Sequence, residues 1–129
     1  MTAYKSDFPW PSYDGRFKFF EDRVNGHEKV EQLVNLGGGF FEVTRRGGDK
    51  LRAFVCECYT FGVAEFIEVR DHCADVSAIV ISSSWCGYTD DVKDYCKALK
   101  IGVFNISEFM GALNREEFWS YVVPERKRL

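Results

Sequence analysis

The sequence predicts a single α/β domain with a mixed central sheet. In this architecture an N-terminal β-hairpin is followed by parallel strands and flanking helices, forming a two-layer or three-layer sandwich. The length of 129 residues suits one hydrophobic core. Two runs rich in Phe and Val around a Gly-Gly-Asp turn indicate the hairpin. From Phe61 onward, helix-like and strand-like segments alternate, as they do in parallel sheets covered by helices.

The first two elements are an aromatic segment and a helix. Residues 1–20 are rich in aromatic side chains but are interrupted by proline and glycine, which predicts an extended arm or lid. A helix is expected over residues 26–36, because apolar residues recur near helical spacing and the glycines at 37–39 end the pattern. The apolar residues of this pattern are Val30, Leu33, Val34 and Leu36.

The middle of the chain predicts an antiparallel pair and then a helix. Strands are expected over 40–46 and 51–59, joined by a turn at 47–49 whose glycines adopt positive φ at little cost. Residues 63–74 are expected to be helical, with Val63, Phe66, Ile67 and Cys73 on the buried side.

The C-terminal half predicts a parallel strand pair. Residues 76–82 form the expected central strand, and Thr89 caps a helix that reaches residue 99. Residues 101–106 form the neighbouring strand.

Two shorter helices are expected to complete the domain. Ser107 is expected to cap the first, over residues 108–113. Residues 114–129 are expected to form a C-terminal helix, capped by Asn114 and ended by Pro124, followed by a basic tail.

Composition indicates a compact domain and the compartment in which it works. The chain is 46% hydrophobic and 16% aromatic, which argues against disorder. No apolar run approaches the roughly 20 residues that span a bilayer, and no secretory pattern is present near Met1, so we expect a cytoplasmic protein without a membrane partner. An odd number of cysteines in a chain of this size predicts reduced, mostly buried thiols. They are Cys56, Cys58, Cys73, Cys86 and Cys96.

Two alternatives concern metals and nucleic acids. A zinc site built from Cys56, Cys58, His72 and Cys73 is disfavoured by the spacing of the cysteines, so buried core thiols are the preferred interpretation. The net charge of −3 gives no global attraction to nucleic acid, which would therefore need a local basic patch. The candidate patches are Arg45, Arg46, Lys50 and Arg52 at the hairpin turn, and Arg126, Lys127 and Arg128 at the end of the chain.

A candidate ligand-binding loop follows the expected strand at 76–82. Open α/β sheets bind ligands at the carboxyl ends of parallel strands, and the N-terminus of a helix favours anions. Cys86, close to that helix, is a candidate nucleophile, for which His27 or His72 would have to act as the base. The loop residues considered are Ser83, Ser84, Trp85, Cys86 and Thr89.

Residues 40–113 resemble the restriction-endonuclease-like PD-(D/E)XK superfamily, in its modified-DNA restriction branch. The resemblance is carried by Val55-Cys56-Glu57-Cys58-Tyr59, which stands where the family has a hydrophobic strand ending in Glu-x-Lys, and by the order of the elements that follow. It implies that Glu57 and Glu42 would hold a divalent cation such as Mg²⁺. Tyr59 stands at the position of the family's lysine, and a phenol cannot replace the positively charged ammonium group of that lysine.

These observations favour a non-catalytic domain that binds a protein partner or associates with itself on a nuclease-like fold. One alternative is a metal-dependent phosphodiesterase or nuclease that uses Glu42 and Glu57, with Tyr59 beside them. Another is a small-molecule or thiol site in residues 83–89. No cofactor is expected unless the nuclease alternative holds.

Overall fold

The computed structural model describes residues 8–12 and 14–122, which form four α-helices, seven strands and one 3₁₀ helix. The helices are α1 Asp14–Asn25, α2 Val63–His72, α3 Asp90–Ala98 and α4 Ile106–Ala112. The strands are β1 Val30–Gly37, β2 Phe40–Arg45, β3 Lys50–Cys56, β4 Thr60–Phe61, β5 Ala78–Ile81, β6 Gly87–Tyr88 and β7 Gly102–Asn105. The 3₁₀ helix is Phe118–Ser120.

The main sheet is mixed, as predicted. Its strand order is β1-β2-β3-β5-β7, with β1, β2 and β3 antiparallel and with β5 parallel to both β3 and β7. The predicted hairpin and the predicted parallel neighbours are therefore both confirmed. A second, parallel pair joins β4 to β6 beside the carboxyl ends of the parallel strands.

Helices cover both faces of the sheet, which gives a three-layer sandwich. One core contains Phe20 of α1 and Phe109 of α4, packed with the face of the sheet that includes Val43 and Val80. The other core lies under α2 and α3, against the opposite face of β3, β5 and β7. Within the part of the chain described, no helix is both long and apolar enough to cross a membrane.

The helix expected over 26–36 is wrong, because β1 occupies most of that range. The register with β2 shifts between Val30 and Gln32, so that Glu31 is an extra residue in the strand. This bulge places Val30 and Leu33 on the same face, opposite Arg45 and Val43. Two apolar residues three apart on one face imitate helical spacing, which is why the pattern misled the prediction.

The extended arm expected over 1–20 is wrong from Asp14 onward, where α1 begins. Phe17, Phe20 and Val24 all pack in one core, at the spacing of a helical stripe. Residues 8–12 do lie along the domain as an arm: Glu57 donates its backbone N–H to the Trp10 carbonyl, at 2.8 Å. Residues 1–7 and 13 lie outside the described residues.

The caps in the C-terminal half were predicted correctly for α3 and wrongly for α4. Thr89 caps α3 and accepts the Val92 N–H at 3.1 Å. Asn105 rather than Ser107 caps α4, because the Asn105 side chain accepts the Glu108 N–H at 2.8 Å.

The helix expected to begin at Asn114 is also wrong. The described residues there contain only the 3₁₀ helix, which begins after Glu117. Pro124 and the basic tail at 126–128 lie outside the described residues.

Candidate functional site at the carboxyl edge of the sheet

The carboxyl ends of β3, β5 and β7 meet at one edge of the main sheet, where open α/β sheets bind ligands. The segments that leave β3 and β5 run side by side. Ser82 donates its N–H to the Cys56 carbonyl at 2.9 Å, and Gly87 donates to the Tyr59 carbonyl at 3.0 Å. The loop predicted to bind a ligand is therefore held against the segment that contains Glu57 and Tyr59.

A cavity of about 270 Å³ opens at this edge. Its polar lining comes from the loop after β5 and from the junction of β7 with α4. The carboxylates in the lining are those of Asp90 and Glu108, and no Lys or Arg of the described residues lines it, although the Lys93 Nζ lies 5.3 Å from the Tyr88 ring centroid. The polar lining residues are Ser84, Cys86, Tyr88, Asp90, Asn105 and Glu108.

Glu108 forms a fixed wall of this cavity. It is buried, its carboxylate accepts the Tyr88 hydroxyl at 2.8 Å, and the same oxygen accepts the Asn105 N–H at 2.9 Å. The bond from Asn105, together with the bond from the Glu108 N–H to the Asn105 side chain, forms a capping box at the start of α4. The sequence prediction missed Tyr88, Asn105 and Glu108, although Asn105-x-x-Glu108 is the spacing of a capping box.

The predicted loop residues have different environments. Ser83 is buried, and its hydroxyl has no hydrogen-bond partner among the described residues. Ser84 lines the cavity, whereas the side chain of Thr89 is used to cap α3. The loop is also fixed to the arm, because the hydroxyls of Ser12 and Ser82 lie 2.7 Å apart.

Cys86 lines the cavity but is not activated by its surroundings. Burial raises the pKa of the Cys86 thiol to about 11, and the charge of the Glu57 carboxylate adds to this effect. The thiol is therefore neutral at pH 7. Neither candidate base reaches it: His27 bonds the Met110 carbonyl at 2.9 Å, and His72 bonds the Glu68 carbonyl at 2.9 Å.

Two exposed aromatic side chains, Tyr59 and Trp85, lie together beside the cavity. Tyr59 is 51% exposed and Trp85 is 43% exposed. Their ring centroids are 6.3 Å apart, and the ring planes are tilted by 35°. We call these two residues the aromatic pair.

The two carboxylates implied by the nuclease resemblance are not brought together. Glu42 lies opposite Arg52 in the sheet and interacts with Lys50 and Arg52, at 3.9 and 3.8 Å. Glu57 follows Arg52 by five residues, which corresponds to roughly 16 Å of strand. This separation of the two backbone positions does not favour a shared cation site.

The basic patch predicted at the hairpin turn is divided between the two faces of the sheet. Arg45 is buried on the α4 side, with its guanidinium 5.5 Å from the Phe118 ring. Arg52 lies on the other face, where it contacts Asp75 at 3.4 Å. Arg46 is exposed and stays on the rim of the turn.

The cysteines and possible metal ligands form no recognisable centre. All five cysteines are free thiols. Burial raises the pKa of Cys56 well above its ordinary value and that of Cys58 to about 12. Within residues 8–12 and 14–122, no three His, Cys, Asp or Glu side chains are grouped so as to hold a metal ion.

When compared with known proteins, the chain matches no family model, no curated protein and no solved structure. The case for function therefore depends on the geometry of the chain itself.

Proposed function

We propose that the protein is a non-catalytic binding domain, and that the carboxyl edge of its sheet receives a basic segment of a protein partner. The observation that carries this proposal is the aromatic pair, which lies exposed beside an acidic cavity. The expected outcome of binding is burial of both rings under the partner.

The aromatic pair has the properties of an interface anchor. Tyr and Trp are enriched at the centres of protein interfaces, because a large rigid ring buries much apolar area with little loss of conformational entropy. Tyr59 and Trp85 come from two segments joined by backbone hydrogen bonds, so the backbone positions that carry the two rings are held together before a partner arrives.

The charge beside the pair selects the chemistry of the partner. Asp90 lines the cavity beside the buried and hydrogen-bonded Glu108, and Glu57 lies close enough to Cys86 to raise the pKa of that thiol. A Lys or Arg side chain gains both a carboxylate and the face of an aromatic ring at such a site. A phosphate would meet carboxylates instead, so a basic peptide fits this edge better than nucleic acid does.

The residues around Glu57 also support the proposal that the domain is not a nuclease. A nuclease would need a cationic donor near Glu57 and a second carboxylate to hold the metal ion. Tyr59 occupies the lysine position of the resemblance, and Glu42 is engaged elsewhere by Lys50 and Arg52. A degenerate nuclease-like domain is consistent with the order of elements, since β1 and β2 lie between α1 and the strand before Glu57, which is the number of strands usual in that family.

The test uses a short fluorescent peptide of alternating arginine and glycine, with an acidic peptide of equal length as its counterpart. Fluorescence anisotropy should show saturable binding of the basic peptide alone. Tyr59→Ala and Trp85→Ala should each weaken binding by about tenfold or more, which is typical of an anchor residue.

Tyr95→Ala is the matched control, because Tyr95 is 45% exposed but lies on α3 with its ring against Phe66. This variant should bind like the wild type. Equal binding by the wild type and the Tyr59→Ala/Trp85→Ala double variant would contradict the proposal.

A second copy of the chain is the other partner to distinguish. Sedimentation velocity should report its association state, and Trp85→Ala should convert any dimer to monomer if the aromatic pair forms the contact. A dimer that survives this substitution would place self-association elsewhere on the surface.

A further inference from the structure

A larger cavity, of about 590 Å³, lies at the opposite end of the sheet, between the β2–β3 turn and the end of α4. A volume of this size is typical of small-molecule sites. Its charged lining consists of Lys29, Arg45, Arg46, Asp49, Arg115 and Glu116.

Arg45 builds the wall of this cavity. Its guanidinium forms two bonds with the Asp49 carboxylate, at 3.1 and 2.7 Å. It also donates to the carbonyls of Leu113 and Arg115, at 3.2 and 2.6 Å. The negative charge of Asp49 is therefore matched, and the chain after α4 is fixed to the turn.

Three further cations remain without a carboxylate partner among the described residues. Arg46 donates its Nε–H to the Glu28 carbonyl at 2.7 Å, which fixes the guanidinium plane and leaves both terminal nitrogens to other acceptors. Arg115 lies over the Tyr121 ring at 5.3 Å, and Lys29 is exposed on the rim. Against these three, the only carboxylate in the lining besides Asp49 is that of Glu116.

We infer that this cavity binds phosphate groups. Arg presents paired N–H donors that match phosphate oxygens, and three cations around one cavity match a ligand with more than one negative charge. The chain as a whole is negative, so this attraction is local to the cavity. Adjacent phosphates could belong to a small polyphosphate or to a nucleic-acid strand, and the two sources share the chemistry that the cavity recognises.

The experiment titrates the full chain with inorganic pyrophosphate and with a short oligothymidylate, using calorimetry. Saturable binding of at least one probe is expected. The Lys29→Ala/Arg46→Ala double variant should bind about tenfold or more weakly, as expected when two ionic contacts are lost. Lys97→Ala, which removes an exposed lysine from the last turn of α3, is the matched control and should bind like the wild type.

The pattern across the probes identifies the source of the phosphates. Binding of pyrophosphate alone indicates a small ligand. Binding of the oligothymidylate indicates a nucleic-acid strand. In that case the slope of log affinity against log salt concentration should become shallower by about one for each cation removed.

Thermal unfolding should show that the Lys29→Ala/Arg46→Ala double variant and the Lys97→Ala control remain folded, since all three side chains are exposed. If neither probe binds, or if the double variant binds as tightly as the wild type, the inference is wrong.

Discussion

At the scale of single residues, Arg45 shows how burial changes the role of a charge. In the sequence it belongs to a basic turn that suggests contact with nucleic acid. In the structure it is only 8% exposed, and carbonyl groups after α4 and the Asp49 carboxylate use its donors. Its function is to connect the hairpin to the C-terminal part of the chain.

Replacing Arg45 by Ala should lower the free energy of unfolding by about 2–3 kcal/mol, because the buried Leu113 carbonyl and the part-buried Arg115 carbonyl lose a charged donor. Urea denaturation measures this change. Arg45→Lys should restore only part of the stability, since an ammonium cannot form the bidentate contact with Asp49. Arg46→Ala, at the exposed neighbour, should change the stability by no more than about 0.5 kcal/mol. Equal losses at both positions would contradict this account.

Cys86 supplies a second test at the residue scale. Because burial and then Glu57 raise the pKa of the thiol to about 11, alkylation should be slow at pH 7 and should rise until pH reaches that value. In Glu57→Gln the neighbouring charge is lost, so the midpoint of the pH–rate profile should move to lower pH. Mass spectrometry of the Cys86 peptide measures the rate. An unchanged midpoint would mean that Glu57 does not act on the thiol.

At the scale of elements, the sequence predicted those whose signals are local. The hairpin turn, the Thr89 cap and the buried strands at β5 and β7 all rest on neighbouring residues, and all are found. The prediction at the edge strand β1 was wrong because its bulge changes which residues share a face. A bulge depends on the pairing with β2, which the local sequence does not show. Helix α1 had a usable signal in Phe17, Phe20 and Val24, which adjacent proline and aromatic residues obscured.

The corrected cap of α4 can be tested by paired substitutions. Asn105→Ala should lower the free energy of unfolding by about 1 kcal/mol, because the Glu108 N–H loses its acceptor at the start of the helix. Ser107→Ala should leave stability within about 0.5 kcal/mol, since Ser107 is exposed and lies inside the helix. Chemical denaturation of both variants provides the measurement. A larger loss of stability for Ser107→Ala than for Asn105→Ala would mean that Ser107 caps the helix, as the sequence predicted.

At the scale of the whole molecule, the two ends of the sheet differ in charge. The carboxyl edge has an acidic cavity beside two exposed aromatic rings, whereas the opposite end has a basic cavity. The sequence located the first region through its loop but missed Glu108. It could not define the second, because Lys29, Arg46 and Arg115 are far apart in the chain and meet only after folding.

The protein should not cleave DNA with magnesium or manganese. Loss of a preorganised donor at a charged transition state typically costs about 10²-fold or more in rate, and here the second carboxylate, Glu42, is also paired with Arg52. Plasmid nicking assays with both metals check this expectation, with Glu57→Ala as the control for a contaminating nuclease. Metal-dependent cleavage that Glu57→Ala abolishes would show that the protein is an enzyme.

The division of the sheet into antiparallel and parallel halves also has a consequence for the order of folding. Strands β1, β2 and β3 pair with neighbours in sequence, whereas Ala53 pairs with Ala78 only after about 25 intervening positions of chain have been closed into a loop. The meander should therefore form in the transition state before the parallel strands join it. Stopped-flow kinetics should show that Val43→Ala, in β2, mainly slows folding. Val80→Ala, in β5, should mainly accelerate unfolding. The opposite result would mean that the parallel strands nucleate the domain.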